Sequence, residues 1–373
     1  MTKFSLTILP GLEDLALSEL KEKWSLINES DLPEVTRKKG KLYIDCDTAD
    51  FCTLVPYLKI PSQAYLTVDE FPCKDFPKLF QKLSKIEWHS YIRGEFPVLT
   101  VSTRKSKLIN STRIKLTATE ALTKSLRNTG TKKAPKEFLE IRNKIHIDIY
   151  NDNLTLSLSL SGERLDKRGF KLSSDVAPLR ESIAAALIYS VALESKSNTL
   201  LDPMAGTGTF TSEALEFYKF NNHRLFDYQF APFFITLPLR KRVVIEKTLF
   251  SSHVINDSST HATIALKDNL KKLSKDSEVT HLGPMDYFKI DQEFKSSSII
   301  MNPPYGKRIK ISVPLEELVM SIIEKARKLE GVETIGLIFP RWAKSKLKKI
   351  KVLQETFIKN GGIEVVYLLI DLR

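Results

Sequence analysis

The residues whose types and spacing most clearly suggest a reaction are Asn302-Pro303-Pro304-Tyr305, which follow the apolar segment 299–301. The two prolines fix the backbone and donate no N–H, so the Pro303 carbonyl and the Asn302 amide oxygen are held as acceptors. With the Tyr305 ring beside them, these acceptors suit a planar exocyclic amine. Such an amine has a delocalised lone pair, and two acceptors on its N–H groups favour attack on an aligned electrophilic methyl group. The alternative interpretation is a rigid turn without a ligand.

A second candidate site is the loop Asp202-Pro-Met-Ala-Gly206-Thr-Gly208-Thr, between a short apolar strand and a helix. Its two glycines permit a sharp turn and close approach to a ligand, and the helix N-terminus offers N–H groups to a carboxylate or phosphate. The dinucleotide fingerprint is incomplete because position 211 is Thr, and the Gly-Lys-Ser/Thr of a P-loop is missing. We therefore expect a loop for a nucleoside cofactor, with a tight structural turn as the alternative.

Two acids follow the next two predicted strands. Asp257 ends the segment Val254-Ile-Asn-Asp257, where a carboxylate can accept hydrogen bonds from a ribose diol. Asp286 follows a third short strand, where it could accept from an adenine amino group. Taken singly, each acid also fits a surface or helix-capping residue. The order of loop, acid and acid on successive strands predicts one cofactor site.

The elements that must position these residues alternate along the second half of the chain. The predicted strands are 199–201, 254–255, 298–301 and 334–339, and the predicted helices are 183–193, 210–217, 262–273 and 315–329. This alternation is typical of a mainly parallel, doubly wound α/β sheet, which binds ligands at the carboxyl ends of its strands. Residues 219–252 interrupt the order and are interpreted as an insertion.

The first half of the chain predicts two α+β units. The first unit, residues 1–60, has a strand from Phe4 to Ile8, a helix beginning at Leu12 and a strand at 42–44. The second unit, residues 61–165, has a strand near 98–102, a basic turn, a helix at 111–126 and a hairpin formed by strands 144–150 and 154–160. A linker, 166–182, leads to the α/β domain at 183–373.

The chain is basic, and its charge is concentrated. Its 373 residues carry 57 Lys and Arg against 45 Asp and Glu, a net charge of +12. Residues 101–150 have 12 basic and 4 acidic side chains, and residues 340–351 have six cations and no anion. Such clusters suit a polyphosphate such as nucleic acid, since phosphate contacts release counterions. Solvated Lys-rich helix faces are the alternative interpretation.

Several functional classes receive no support from the sequence. No apolar run reaches the roughly 18 residues of a membrane-spanning helix, and the N-terminus lacks the apolar region of a secretory signal, so we expect a cytoplasmic protein. The three cysteines and six histidines form no metal-ligand pattern, so no metal is expected.

Together, these segments resemble the THUMP-domain RNA methyltransferases that use S-adenosylmethionine, and within them the bacterial 23S rRNA guanine-N2-methyltransferases of the RlmL type. The loop at 202–209 resembles the family's D-P-x-C-G-S-G-T, and N-P-P-Y-G at 302–306 matches its amine-methylating motif. Further similarity lies at 10–14, 103–108, 158–170 and 177–182. Two departures are Ala205 in place of Cys and Ser258-Ser259 where a second acid is common.

The resemblance implies a role for each candidate residue. The methionine end of S-adenosylmethionine would be lined by Asp202, Gly206, Gly208 and Glu213. Asp257 would bind the ribose and Asp286 the adenine, while Asn302, Pro303 and Tyr305 would hold the target guanine. Because a base within a helix is unreachable, the target would be flipped out, with Tyr305 as a stacking partner. RNA would be gripped by Arg104, Lys105, Lys107, Arg113 and Lys115.

The resemblance also implies the architecture and the partner. A Rossmann-like methyltransferase domain would follow a ferredoxin-like unit and a THUMP domain, without the second methyltransferase half of the fused enzymes. The substrate would be 23S rRNA or an assembling large ribosomal subunit. A tRNA guanine-N2-methyltransferase, an N6-adenine methyltransferase and an RNA-binding ribosome-assembly factor with an inert cofactor fold remain open.

Overall fold

The described residues of the protein form two seven-stranded sheets. The computed structural model describes residues 1–93, 96–127, 143–169, 179–235, 237, 241–271, 273, 278–305, 313–347 and 350–373. The predicted linker 166–182, the predicted insertion 219–252 and the basic block 340–351 therefore lie partly outside the described residues.

The first sheet collects all the strands described in the first half of the chain. Its strand order is β2-β3-β1-β4-β7-β6-β5, antiparallel except for the β5–β6 pair. The strands are β1 (Thr2–Thr7), β2 (Val35–Lys38), β3 (Lys41–Cys46), β4 (Gln63–Pro72), β5 (Val98–Arg104), β6 (Lys144–Tyr150) and β7 (Asn153–Ser159).

The two predicted N-terminal units share this sheet through β4. This strand, which the sequence pattern did not predict, pairs with β1 along one edge and with β7 along the other. The predicted boundary at residues 60 and 61 falls just before β4, and the division into two units stays a prediction.

The helices of the first half cover the apolar face of the first sheet. They are α1 (Glu13–Ile27), α2 (Thr48–Leu54), α3 (Phe76–Ser84) and α4 (Ser111–Arg127). In α1, Leu20 and Trp24 lie one helical turn apart, and both are buried. Asp47 and Asp75 cap α2 and α3, because their carboxylates accept backbone N–H groups of the first turn.

The second sheet has the order β10-β9-β8-β11-β12-β14-β13. Its first five strands are parallel to one another, and the C-terminal hairpin β13–β14 joins antiparallel to β12. The strands are β8 (Thr199–Asp202), β9 (Ser252–Asp257), β10 (Glu278–Pro284), β11 (Ser297–Met301), β12 (Val332–Pro340), β13 (Val352–Asn360) and β14 (Ile363–Asp371).

Helices alternate with the parallel strands, as the sequence predicts. They are α5 (Glu181–Glu194), α6 (Thr209–Leu215), α7 (Pro232–Ile235), α8 (Thr260–Leu270) and α9 (Leu315–Lys328). The centre of the sheet is strongly apolar, since every residue of β11 is buried. The carboxyl ends of the parallel strands lie along one edge, where ligands bind in sheets of this kind.

The segment predicted as an insertion packs against the first half of the chain. The backbone N–H of Asn221 donates to the Pro56 carbonyl at 3.0 Å, and that of Tyr228 donates to the Leu160 carbonyl at 3.1 Å. The Tyr57 hydroxyl donates to the Val243 carbonyl at 2.6 Å. The described part of this segment therefore joins the two halves.

An apolar core runs through both halves of the molecule, and a second apolar cluster lies around β11, β12 and α9. The shared core includes Phe4 and Trp24 from the first half and Leu187 and Tyr367 from the second. The two halves also approach closely at Gly11, where a side chain would begin 2.3 Å from the Phe357 carbonyl oxygen. The φ of Gly11 is +100°. Among the described residues, no helix is both long and apolar enough to cross a membrane.

Candidate active site

The glycine loop is anchored to the neighbouring strand β9. The backbone N–H of Gly206 donates to Asp257 Oδ2 at 2.8 Å, and that of Ala205 donates to the Asn256 carbonyl at 2.9 Å. Gly206 and Gly208 have φ values of +55° and +83°, which favour glycine. A side chain on Gly208 would also begin 2.2 Å from Leu266 Cδ1 of α8, so Leu266 would have to shift to admit it.

The space in front of Gly206 is open. Apart from Gly206 itself and its two neighbours in the chain, no described residue has an atom within 4 Å of the point where a side chain on this residue would begin. Of the loop N–H groups expected to face a ligand, that of Gly206 already reaches Asp257, and that of Gly208 donates to the Ala205 carbonyl at 2.8 Å. The loop would therefore accommodate a ligand mainly through its open space and its backbone shape, and less through these two N–H groups.

Asp202 is fully buried at the end of β8. The Thr211 hydroxyl donates to its Oδ2 atom at 2.9 Å, whereas Oδ1 has no hydrogen-bond partner among the described residues. Burial raises the pKa of this carboxyl to about 7, although hydrogen bonds from Thr211 oppose the shift. An unpartnered buried acceptor is costly unless a ligand satisfies it.

Asn256 holds the tips of three strands together, a role that sequence reasoning did not assign to it. Its Nδ2 atom donates to the Pro203 carbonyl at 3.1 Å, after β8, and to the Met285 carbonyl at 2.8 Å, after β10. The residue itself lies in β9 and is buried. The sequence feature that could have identified Asn256 is its position directly before Asp257.

The two predicted acids lie at the tips of neighbouring strands. Asp257 Oδ1 accepts the Ser259 N–H at 2.8 Å, in addition to the contact of Oδ2 with Gly206. Asp286 is exposed, and its Oδ1 atom caps a short 3-10 helix by accepting the Phe288 N–H at 3.0 Å. The backbone N–H of Met285 donates to the Asp257 carbonyl at 3.2 Å, so the structure brings these acids to one place.

Asn302 and the glycine loop project from the same edge of the sheet. Strand β11 pairs in parallel with β8, with Ile299 opposite Leu201. Asn302 directly follows β11, as the loop directly follows β8. Asn302 is half-buried and Pro303 is buried.

Tyr305 is held against β12. Its hydroxyl donates to the Ile338 carbonyl at 2.9 Å and also contacts Asn302 Oδ1. Burial raises the pKa of the phenol well above its ordinary value, so the hydroxyl keeps its proton. The ring is half-buried against the core of the second sheet, and its predicted role in stacking stays a prediction.

Glu213 lies in α6, but its carboxylate faces Arg168. Arg168 donates from Nε to Glu213 Oε1 at 3.0 Å and from Nη2 to Oε2 at 2.7 Å, and both residues are buried. Burial opposes the charge on Arg168, but Glu213 and other acids outweigh it and raise the pKa of the guanidinium. The expected contact of Glu213 with the cofactor stays a prediction.

Arg168 also ties α6 to the first half of the chain. It donates from Nη2 to the Lys59 carbonyl at 2.7 Å and from Nη1 to the Leu165 carbonyl at 2.6 Å. Just beyond α6, Lys23 Nζ donates to the Phe217 carbonyl at 2.6 Å. Two buried cations thus fix the helix that follows the glycine loop. Sequence reasoning noted Arg168 only as part of a motif.

The five predicted RNA-binding residues are exposed on consecutive elements of the first half. They occupy the end of β5, the loop after it and the first turns of α4, namely Arg104, Lys105, Lys107, Arg113 and Lys115. Arg113 stacks 4.2 Å from the Phe76 ring, and Arg104 lies 3.6 Å from Asp148. The structure therefore presents these cations on one continuous stretch.

The loop, Asp202 and Asp257 fit a nucleoside cofactor with a charged amine. The unpartnered Asp202 Oδ1 atom has lone pairs to accept from such an amine, and the space in front of Gly206, four residues further along the same loop, is open. Carboxylate oxygens of Asp257 retain lone pairs for hydroxyl donors. Among the described residues, no group of His, Cys, Asp and Glu side chains is arranged to hold a metal ion.

Comparison with known proteins gives a family match over the second half of the chain. Residues 168–349 match the model of the UPF0020 family, described as "RMKL-like, methyltransferase domain". The chain is similar to the "Ribosomal RNA large subunit methyltransferase K/L" of Pseudomonas syringae, with 28% identity over 42% of this chain and 21% of that one. It is 22% identical to the protein of the same name from Shewanella frigidimarina, over 96% of this chain. These alignments span 21% and 51% of the two relatives.

The solved structures establish the fold class. The crystal structure of SMU.472 complexed with SAH has a TM-score of 0.78 with this protein, covering 99% of this chain and 97% of that one at 19% identity. The predicted α/β Rossmann-like methyltransferase fold is confirmed. The family match supports the predicted resemblance for residues 168–349.

Proposed function

We propose that this protein is an S-adenosylmethionine-dependent RNA methyltransferase that modifies the exocyclic N2 amine of a guanosine, in 23S rRNA. The observation that carries this proposal is the parallel pairing of β8 and β11, which gives the glycine loop and Asn302 the same edge of the sheet. The similarity to ribosomal RNA large subunit methyltransferases supports ribosomal RNA as the substrate.

The cofactor would occupy the tips of β8, β9 and β10. Asp202 Oδ1, the buried acceptor without a partner, would accept from the methionine ammonium group. Asp257 would accept from the ribose hydroxyls and Asp286 from the adenine amino group. The similarity in fold to SMU.472, which was crystallised with SAH, supports this choice of cofactor.

The cofactor would supply an electrophilic methyl carbon on a positively charged sulfur, and the electron pair of the broken carbon–sulfur bond stays with the sulfur. Asn302 Oδ1 and the Pro303 carbonyl would accept the two N–H groups of the guanine amine. These contacts direct the nitrogen lone pair towards the methyl carbon and stabilise the positive charge that develops on nitrogen.

Tyr305 would orient the Asn302 amide. A phenol hydroxyl has one proton, and the Ile338 carbonyl accepts it at 2.9 Å. In the substrate complex, the Asn302 amide would therefore turn over, so that its N–H replaces the Oδ1 atom now in contact with Tyr305 and donates to the phenol oxygen, while Oδ1 faces the amine. Tyr305 is then a positioning residue.

The methylated amine must lose one proton. Neither an amide oxygen nor a backbone carbonyl is basic enough to take it. The side chain of Asn302 is only half-buried, so water can reach the amine and accept the proton. The proposed reaction requires no covalent intermediate with the protein.

The first half of the chain would hold the RNA. We propose that residues 1–60 form the ferredoxin-like unit and residues 61–165 the THUMP domain, with their sheets merged through β4. The exposed cations of β5 and α4 would contact the phosphate backbone, while the catalytic pocket chooses the base.

The direct test is transfer of the labelled methyl group from S-adenosylmethionine to ribosomal RNA from cells that lack the protein. Digestion to nucleosides and mass spectrometry should then yield N2-methylguanosine. Transfer to tRNA alone would refute the substrate, and N6-methyladenosine would refute the base. A protein that binds RNA but no cofactor in calorimetry would instead be an assembly factor.

A further inference from the structure

The candidate groups along the carboxyl edge of the second sheet follow the order of its strands. Strands β9, β8, β11 and β12 are adjacent and parallel. Asp257 and Gly206 therefore lie on one side of Asn302, and the residues after Pro340, which ends β12, lie on the other. If the target base at Asn302 faces a cofactor at the ends of β8 and β9, the nucleotides next to it in the RNA lie on the other side, at the end of β12.

An open pocket occupies that side. Its volume is about 510 Å³, and its walls include Tyr305, Pro340 and Trp342, together with the turn between β13 and β14 at Gly362. Tyr305, which contacts Asn302, therefore forms a wall shared by this pocket and the proposed catalytic position. The volume falls within the range of pockets that take small planar ligands.

Of the two aromatic residues named in the walls of this pocket, Trp342 is the more exposed. The side chain is 59% exposed, whereas the other two tryptophans, Trp24 and Trp88, are 1% and 0% exposed. Unpaired bases stack on exposed aromatic rings that lie beside a basic segment, because every base has a π face.

The polar groups around the pocket are better suited to a base edge than to a phosphate. The Arg341 guanidinium lies 4.7 Å from the Phe357 ring and 3.8 Å from Glu364 Oε2. Lys344 is paired with Glu355. Because acids balance these cations, the pocket offers both donors and an acceptor and little net positive charge.

We propose that Trp342 and this pocket bind an unpaired nucleotide of the RNA substrate next to the methylated guanosine. Its base stacks on the Trp342 indole, and its edge faces Arg341 and Glu364. This inference rests on the proposed function, since it assumes that the base at Asn302 belongs to RNA.

Tryptophan fluorescence tests the proposal without requiring methyl transfer. Titration with a single-stranded RNA of about 12 nucleotides that contains a central guanosine should quench the emission of the exposed Trp342. The quenching should disappear in Trp342→Phe and persist in Asn302→Ala. Binding of the RNA, measured by anisotropy, without quenching would refute the proposal, as would equal quenching by the matching duplex.

Affinity separates stacking from a structural role. Trp342→Ala should weaken binding of the same labelled RNA by about fivefold to a hundredfold, and Trp342→Phe should retain most of the affinity. Cofactor affinity should not change in either variant. If Trp342→Ala binds RNA normally while the wild-type protein methylates it, this inference fails and the proposed function stands. If Trp342 is quenched but no methyl is transferred, the proposed function fails and the RNA site stands.

Discussion

Arg168 and Glu213 form a buried ion pair between the segment that follows the first sheet and the helix that follows the glycine loop. Arg168 also donates to the Lys59 carbonyl, so one guanidinium connects the first half of the chain to α6. Because Arg168 donates through two N–H groups to the two oxygens of Glu213, the pair fixes the orientation of α6 as well as its distance from Arg168.

We predict that Arg168→Ala destabilises the protein by about 3–5 kcal/mol, because it leaves the Glu213 carboxylate buried without a counter-charge. Urea unfolding measures the change. The double variant Arg168→Met with Glu213→Gln should recover part of the loss, since no charge is then buried.

The exposed pair Lys271–Asp268 is the matched control for this prediction. Its side chains are largely exposed, so Lys271→Ala should cost at most about 1 kcal/mol. Equal losses in Arg168→Ala and Lys271→Ala would show that the buried pair contributes no more than a surface contact.

Asp202 should make stability depend on pH. Burial raises its pKa from 3.8 to about 7 in the folded protein, so the folded state holds a proton that the unfolded chain releases. The contribution of Asp202 to the free energy of unfolding is therefore fully present below pH 3.8 and is lost as the pH rises towards 7. We expect Asp202→Asn to remove this decline of the unfolding free energy with pH.

The measurement is the difference in unfolding free energy between Asp202→Asn and the wild type, from urea titrations at several pH values across this window. The difference isolates Asp202 from other acids such as the half-buried Asp227, whose pKa burial raises to about 6. The variant should gain stability relative to the wild type as the pH rises. A difference that does not vary with pH would contradict the buried, unpartnered position of this carboxyl.

The exposed cations of the first half should determine the salt dependence of RNA binding. The triple variant Lys105→Ala, Lys107→Ala and Lys115→Ala should bind RNA more weakly and reduce the slope of log affinity against log salt by roughly 0.7 for each lost phosphate contact. Filter binding at several salt concentrations measures both quantities.

A control with the same change in net charge removes three exposed lysines from other elements: Lys21→Ala, Lys39→Ala and Lys289→Ala. If both triple variants reduce the slope equally, the RNA is attracted by total charge, and the predicted site on β5 and α4 is wrong.

The elements around the candidate site could be predicted because their signals are local. An apolar strand followed by Gly206 and Gly208, or by two prolines after Asn302, is visible within ten residues of sequence. The structure then places these segments on adjacent parallel strands; alternating strands and helices predict the parallel sheet, but not that these two strands are neighbours.

The elements that were missed depend on distant partners. Strand β4 contains Asp69 and Glu70 and becomes a strand by pairing on both sides, and β13 is a half-exposed edge strand held by β14. The contact of Arg168 with Glu213 likewise joins residues 45 positions apart. Local periodicity carries no information about such partners, so these features appear only in the folded chain.

In the proposed mechanism, Asn302 acts in methyl transfer and not in cofactor binding. Asn302→Ala removes one of the two proposed acceptors, so the labelled methyl group should no longer reach ribosomal RNA, while calorimetry should show nearly unchanged affinity for S-adenosylmethionine. Tyr305→Phe should lower the rate of transfer by up to about a hundredfold, also without loss of cofactor affinity, because it misplaces the amide. Normal methyl transfer by Asn302→Ala, with the cofactor bound, would show that Asn302 is not an acceptor for the reacting amine.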